Sequence, residues 1–124
     1  MNVQFCHKRK WKVAGRGDDI LVSKGGETIA LEVIEPWFFD TLTVNDFFEK
    51  RVGTARCSDE DNYCKKTGRE LALTRMKPKR LVVVDINKGN TVTLITLIDA
   101  QENKYILRKI DGYKVHFIEY IKGK

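Results

Sequence analysis

Apolar and polar positions alternate most regularly in the last third of the chain. Residues 80–86 (RLVVVDI) and 91–98 (TVTLITLI) are rich in β-branched side chains and are joined by Asn-Lys-Gly-Asn, which predicts a hairpin. Residues 99–103 form a polar turn. A strand over 104–110 (KYILRKI) follows, then a tight turn at Asp111-Gly112 and a last strand over 113–121. Strict alternation in that last strand sets Tyr113, Val115, Phe117 and Glu119 on one face and Lys114, His116, Ile118 and Tyr120 on the other. The carboxyl half therefore predicts an antiparallel meander of about four strands, a partly open barrel.

Upstream the period lengthens. From Lys66 to Lys77 the chain is rich in strong helix formers, and Pro78 disfavours helical geometry at Lys77, so this is the main helix. Lys66, Arg69 and Lys77 fall on one arc of it, interrupted by Leu73, while Leu71, Ala72 and Met76 fill much of the remainder. Nearer the amino end, the apolar runs 20–22 and 28–34 flank Gly25-Gly26 and predict a β-hairpin, closed off by Pro36. Gly15-Arg-Gly17-Asp-Asp supplies an earlier turn.

Between hairpin and helix lie Trp37, Phe38, Phe39, Phe47 and Phe48, five large rings read as core anchors rather than as an exposed patch. Thr43, with Asp46 in the first turn, opens a short helix in this reading. Residues 52–57 form a short strand, and Ser58-Asp-Glu-Asp61 an acidic turn or helix start. The fold class is α+β: an amino-terminal hairpin, one main helix and the carboxyl-terminal meander. With 124 residues there is room for one domain, 1–124.

Composition narrows the class without naming an activity. Hydrophobic residues make up 42% and charged residues 32%, enough to build a core. No apolar run reaches the ~18 residues of a membrane span, and the amino end lacks the apolar stretch of a secretory signal. Three cysteines, Cys6, Cys57 and Cys64, do not make the even framework of a secreted scaffold, so a reducing cytoplasm is expected.

The net charge of +6 is unevenly spread. Residues 1–17 hold five bases and no acid, 18–64 eleven acids against four bases, and 65–80 seven bases against one acid. Two basic segments, 7–12 (HKRKWK) and 77–80 (KPKR), thus flank an acidic middle. If folding brings them together, Lys8, Arg9, Lys10, Lys12, Arg69, Lys77, Lys79 and Arg80 form a phosphate-binding surface, with Trp11 as a ring for stacking or anchoring. The same charge serves equally to neutralise the acidic middle or to meet a protein partner.

Other chemistry is poorly supported. Cys6, His7, Cys57 and Cys64 would supply zinc ligands, but Cys57 and Cys64 lack a tight knuckle spacing and Cys6 and His7 are neighbours that diverge on a strand. A Cys–His nucleophile from Cys57 or Cys6 with His116 needs a contact that spacing does not supply. Asp59, Glu60 and Asp61 cannot all aim at one ion. Phosphate-loop, dinucleotide and zinc-protease motifs are absent, so no enzymatic activity and no cofactor are expected.

Residues 52–76, with Thr54-Ala-Arg-Cys57-Ser-Asp-Glu-Asp61 followed by Thr67-Gly68-Arg-Glu-Leu-Ala72-Leu, resemble a segment of small phage and prophage proteins in which a Cys-bearing strand runs into an acidic turn, a Gly and a helix. Those segments more often carry an aromatic followed by Asp where this chain has Tyr63-Cys64. The resemblance implies a mobile-element origin and a partner that is nucleic acid or a host nucleic-acid-handling machine, defence nucleases included. The leading expectation is a small, basic, non-enzymatic phage-type accessory protein that binds nucleic acid. The alternative is a protein-binding inhibitor of such a machine, anchored by residues such as Trp37, Phe38 and Arg56. A third is a Cys/His metal-binding or catalytic protein.

Overall fold

The computed structural model describes residues 2–14, 20–62 and 64–123, with side chains described outside 10–14, 20–24 and 59–62. Seven strands form one sheet in sequence order, every neighbouring pair antiparallel. They are β1 (Val3–Ala14), β2 (Ile20–Glu32), β3 (Phe47–Asn62), β4 (Lys77–Lys88), β5 (Val92–Ile98), β6 (Lys104–Ile110) and β7 (Val115–Ile121). The short helix α1 (Pro36–Phe39) precedes β3, and α2 (Lys65–Thr74) links β3 to β4. The sheet curls into a nearly closed barrel in which β1 comes up against β7.

The meander of β4 to β7 lies where the alternation put it, but the barrel takes in all seven strands rather than the carboxyl half alone. Ile29, Leu31, Val52, Leu81, Val83, Ile95, Leu97, Tyr105, Leu107, Val115 and Phe117 fill its interior, joined by Ile34, Phe39 and Leu42 from the β2–β3 connection. The expected hairpin at Gly25-Gly26 does not form. Both glycines lie inside β2, at φ 76° and 135°, where the β2–β3 ladder breaks between Lys24 and Gly26. Their conformational freedom serves a bend in one long strand, and β2 instead pairs along β1.

Two bulges reset the alternation. In β4, Val83 faces Leu97 but Asp85 faces Thr96, so Val84 is an extra residue. Asp85 is consequently turned outward and Ile86 packs against the core. In β7, Ile118 is the extra residue between the pairs Leu107–Phe117 and Ile106–Glu119. Tyr120 therefore joins Val115 and Phe117 inside, where strict alternation would have turned it out.

A second layer lies outside the barrel. On β2 and β3 the residues between the interior positions are small, and α2 rests on them: Ala30, Ala55, Ala72 and Met76 form a separate buried cluster beside Val3 and Phe5. A Cβ added at Gly53 would lie 2.0 Å from the Ala72 carbonyl oxygen, and one at Gly68 2.3 Å from Thr28 Oγ1. These two glycines set how closely the helix approaches. The helix stops at Thr74, shorter than the expected Lys66–Lys77, because Lys77 is already extended as the first residue of β4 ahead of Pro78. Lys77 thus leaves the helical arc foreseen with Lys66 and Arg69.

The expected helix at Thr43 is a turn instead. Asp46 Oδ2 accepts from the Thr43 N–H at 2.8 Å, but Asn45 takes φ 77°, and Asn45 and Asp46 exchange backbone hydrogen bonds with Val83. Only Phe39 of the 37–39 group is fully buried. Phe38 is half-buried against Phe48, and Trp37 is 69% exposed. The segment Ser58–Asp61 belongs to β3 rather than to a helix start, in the stretch where pairing with β2 is interrupted between Cys57 and Asn62.

Candidate nucleic-acid interface

Antiparallel alternation sorts the charges. The far part of β1, the starts of β4 and β6, the end of β7 and the β3–α2–β4 connection all lie at one mouth of the barrel. Lys8, Arg9, Lys65, Arg69, Lys77, Lys79, Arg80, Lys104 and Lys122 belong to those parts. Within that mouth the side chains separate into three sets.

The tightest set is built on His7. On β1 the odd positions face outward, where Phe5 packs under α2 and stacks on the His7 ring at 6.2 Å between centroids. His7 Nδ1 lies 3.2 Å from the Thr28 hydroxyl, which is fully buried under Gly68. Partial burial, then the charges of Lys65, Arg69 and Arg9, hold the His7 pKa below its usual value. Lys65 and Arg69 are one helical turn apart on α2, so they present both cations to the same side. Arg9 and Arg69, sixty residues apart in sequence, are thus brought to one place, and Lys65 belongs with them.

Lys8 points the other way. Its Nζ donates to the Tyr120 carbonyl at 2.5 Å across the β1–β7 gap. Lys8, Arg9, Gly26, Glu27, Tyr120 and Lys122 line a depression of about 180 Å³ there. Below it Gln4 spans the same gap, donating from Nε2 to the Val115 carbonyl at 2.6 Å and accepting from the Phe117 N–H at Oε1 at 3.1 Å. Burial, together with Glu27 and Asp99, pushes the Tyr120 pKa up to about 12.

The third set is the segment 77–80. Lys77 is exposed. Lys79 Nζ lies 3.6 Å from Asp99 Oδ2, and the Arg80 guanidinium lies over the Phe47 ring at 3.9 Å from its centroid. Asp99 is buried in the β5–β6 turn. Its Oδ1 accepts from the Gln101 and Asn103 N–H groups, and its Oδ2 from the Asn103 amide and, at 2.6 Å, the Tyr105 hydroxyl. Burial alone would raise the Asp99 pKa. Tyr105, Asn103 and Lys79 outweigh it and hold the carboxyl below the usual range. The Tyr105 hydroxyl is correspondingly pushed far up, by burial first and then by Asp99.

Among the described residues, Lys8 and the segment 77–80 therefore share a mouth but lie apart on it. Lys8 lies four residues further along β3 than Lys77, about 13 Å, and three strand spacings round the wall, about 14 Å, with α2 covering part of the interval. Lys79 is occupied by Asp99. The side chains of Lys10, Trp11 and Lys12 lie outside the described residues.

Sequence reasoning left Lys65 out of the site and gave His7 and Phe47 other roles, a zinc-ligand candidate and a core anchor. Lys65 carried a usable signal, the four-residue spacing to Arg69. Phe47 was readable only once 47–62 was recognised as a strand, in which one of two adjacent rings must face out.

Among the described residues no cluster of three or more His, Cys, Asp and Glu side chains is placed to hold a metal ion. Cys6 is buried, Cys57 partly so and Cys64 exposed at the start of α2, where the Thr67 hydroxyl donates to its Sγ at 3.5 Å. That hydrogen bond and the Thr67 N–H lower the Cys64 pKa, whereas burial raises that of Cys6. No described helix is long and apolar enough to cross a membrane. Searches of protein-family models, curated proteins and solved structures return no match to this chain.

Proposed function

We propose that this protein binds nucleic acid through one mouth of the barrel, with phosphates held by Arg9, Lys65 and Arg69 and the contact extended by Lys77 and Arg80. The observation that carries this reading is the placement of Arg9 on the outward side of β1 two residues from His7, whose partner Thr28 lies under Gly68, with Lys65 and Arg69 flanking that glycine on α2. Phosphate contacts from these cations release counterions from the nucleic acid. Charge-assisted hydrogen bonds from two arginines add to the binding. Neither a catalytic group nor a cofactor is required. On this reading the protein is a small accessory factor, in keeping with the phage-like segment at 52–76.

The test is fluorescence anisotropy with a labelled oligonucleotide across a salt series. Binding is expected at low salt, and the slope of log K against log salt should fall by about two when Lys65 and Arg69 are both changed to Ala. Absence of binding at low salt would overturn the proposal.

A second reading, a protein-binding inhibitor of a nucleic-acid-handling machine, is favoured by Trp37. It is presented on a four-residue helix held from below by buried Phe39, with Val44 also exposed close by in the chain. A Trp displayed in this way has the character of an interface anchor. Loss of complex formation with a host nuclease on Trp37→Ala, with oligonucleotide binding absent from the wild type, would select this reading.

A further inference from the structure

The basic cluster explains attraction to phosphate but leaves one costly feature unused. Phe47 is 62% exposed, although its neighbour Phe48 is turned inward against Phe38. A phenylalanine lying open on a sheet wall forgoes burial that the core elsewhere exploits. The Arg80 guanidinium over the ring, 3.9 Å from its centroid, makes a positively charged pair with an exposed aromatic.

The wall continues in register from this pair. Phe47 faces Val82, Val82 faces Ile98, Ile98 faces Lys104, and Lys104 faces Ile121. All five are on the outer face, because the adjacent Phe48, Leu81, Leu97, Tyr105 and Tyr120 point inward. The row crosses four strand spacings, about 19 Å. At its far end Ile98, Glu102, Lys104, Ile121, Lys122 and Gly123 line an open depression of about 410 Å³. An aromatic–guanidinium pair, an aliphatic floor and the side chains of Arg80, Lys104 and Lys122 thus follow one line, with Glu49 opposite Arg80, Glu119 opposite Ile106 and Glu102 in the depression set among them. Its length matches the smallest single-strand sites of small barrels, about four nucleotides.

We infer that this outer wall is a single-stranded nucleic-acid path, with an unpaired base stacking at Phe47 and Arg80 while Lys104 and Lys122 meet the backbone. The inference rests on the nucleic-acid reading above and adds the substrate class. In a duplex the faces of the bases are already stacked on one another, so a ring lying on a sheet wall has nothing to receive from it. An unpaired base offers its face, and every base has one, so recognition is tolerant of sequence.

The experiment measures anisotropy at low salt with a labelled oligo-dT, an oligo-U and a duplex of the same length. The proteins are the wild type, Phe47→Ala and Phe47→Trp. The wild type is expected to bind the single strands at least tenfold more tightly than the duplex. Phe47→Ala should lose about tenfold or more for single strands while leaving duplex binding and the salt slope unchanged, because no charge is removed. Phe47→Trp should restore single-strand binding. The dT and U arms show whether the path accepts DNA, RNA or both. Single-strand affinity unchanged in Phe47→Ala, or lost equally for duplex, overturns the single-strand path and leaves the nucleic-acid reading standing. A wild type that binds none of the three overturns both. Phe47 is exposed, so its replacement does not empty the core, and an unchanged circular dichroism melt confirms that each variant is folded.

Discussion

Replacing Gly53 by Ala tests how α2 is held, and with it how Lys65 and Arg69 are placed. The added methyl group would sit 2.0 Å from the Ala72 carbonyl oxygen and 2.9 Å from both the Met76 Cγ and its backbone nitrogen. Two of these three atoms are backbone, so no rotamer change relieves the clash. A carbon and an oxygen need more than about 3 Å, so the helix must move outward by about 1 Å. A gap of that size forfeits a quarter to a half of the dispersion energy of each contact that opens. Those contacts join Ala72 and Met76 to Ala30 and Ala55, the whole of the outer buried cluster. Overpacking of this kind costs about 1 to 3 kcal/mol. In a protein of this size that lowers the melting temperature by roughly 3 to 15 °C. Thermal melting followed by circular dichroism, with urea unfolding in parallel, measures it. A variant that melts within about 2 °C of the wild type would show that the helix does not bear on Gly53, and the positioning argument for Lys65 and Arg69 would fall with it.

Two further predictions concern titrating groups. In Asp99→Asn only one oxygen remains to accept from four donors, and an amide is turned toward the others, so a loss of about 2 to 4 kcal/mol at neutral pH is expected by urea unfolding. Because the folded carboxyl is held low, its stabilisation is complete above about pH 4 and is lost as pH falls through the folded value; the variant should show a flatter acid limb, and an acid limb as steep as that of the wild type would refute the role. The His7 ring should titrate below the ordinary value of about 6.5, so its contribution to stability is present above that pH and declines as pH falls. Phosphate bound among Arg9, Lys65 and Arg69 offsets their field, so NMR titration with saturating oligonucleotide should move the His7 midpoint upward, and an unmoved midpoint would place the phosphate elsewhere.

The strands β5 and β6 could be read from sequence because β-branched and other large apolar residues fill them and polar turns bound them at 87–90, 99–103 and 111–112. The two halves of β2 were also legible as strands but not as one, because the second half is buried on both sides: Ile29 and Leu31 face the barrel, while Thr28 and Ala30 lie under α2. A continuous apolar run carries no period, so the glycine pair beside it was the strongest local signal and suggested a turn where there is a bend. The bulges at Val84 and Ile118 are similarly silent, since an inserted residue becomes visible only through its partner strand. For the site, the basic residues themselves were evident, but their grouping was not. Arg9 meets Arg69 rather than Lys77 because small residues at Ala30, Gly53, Ala55 and Gly68 let α2 settle across β2 and β3. Small side chains have no charge pattern that announces such a docking.

An odd number of strands in an up-and-down order brings the first and last together pointing the same way, so the seam of this barrel is the one place where parallel neighbours meet. In a parallel ladder a residue gives its N–H to one residue of the facing strand and takes an N–H from the residue two further on. The Gln4 side chain does both, giving to Val115 and taking from Phe117, so its primary amide stands in for a peptide group opposite His116. Among the described residues the wall is thus stitched shut by side chains, the Gln4 amide and the Lys8 ammonium on the Tyr120 carbonyl, in place of a run of backbone bonds, and β1 and β7 can part there without breaking any rung of the six ladders that build the rest of the molecule.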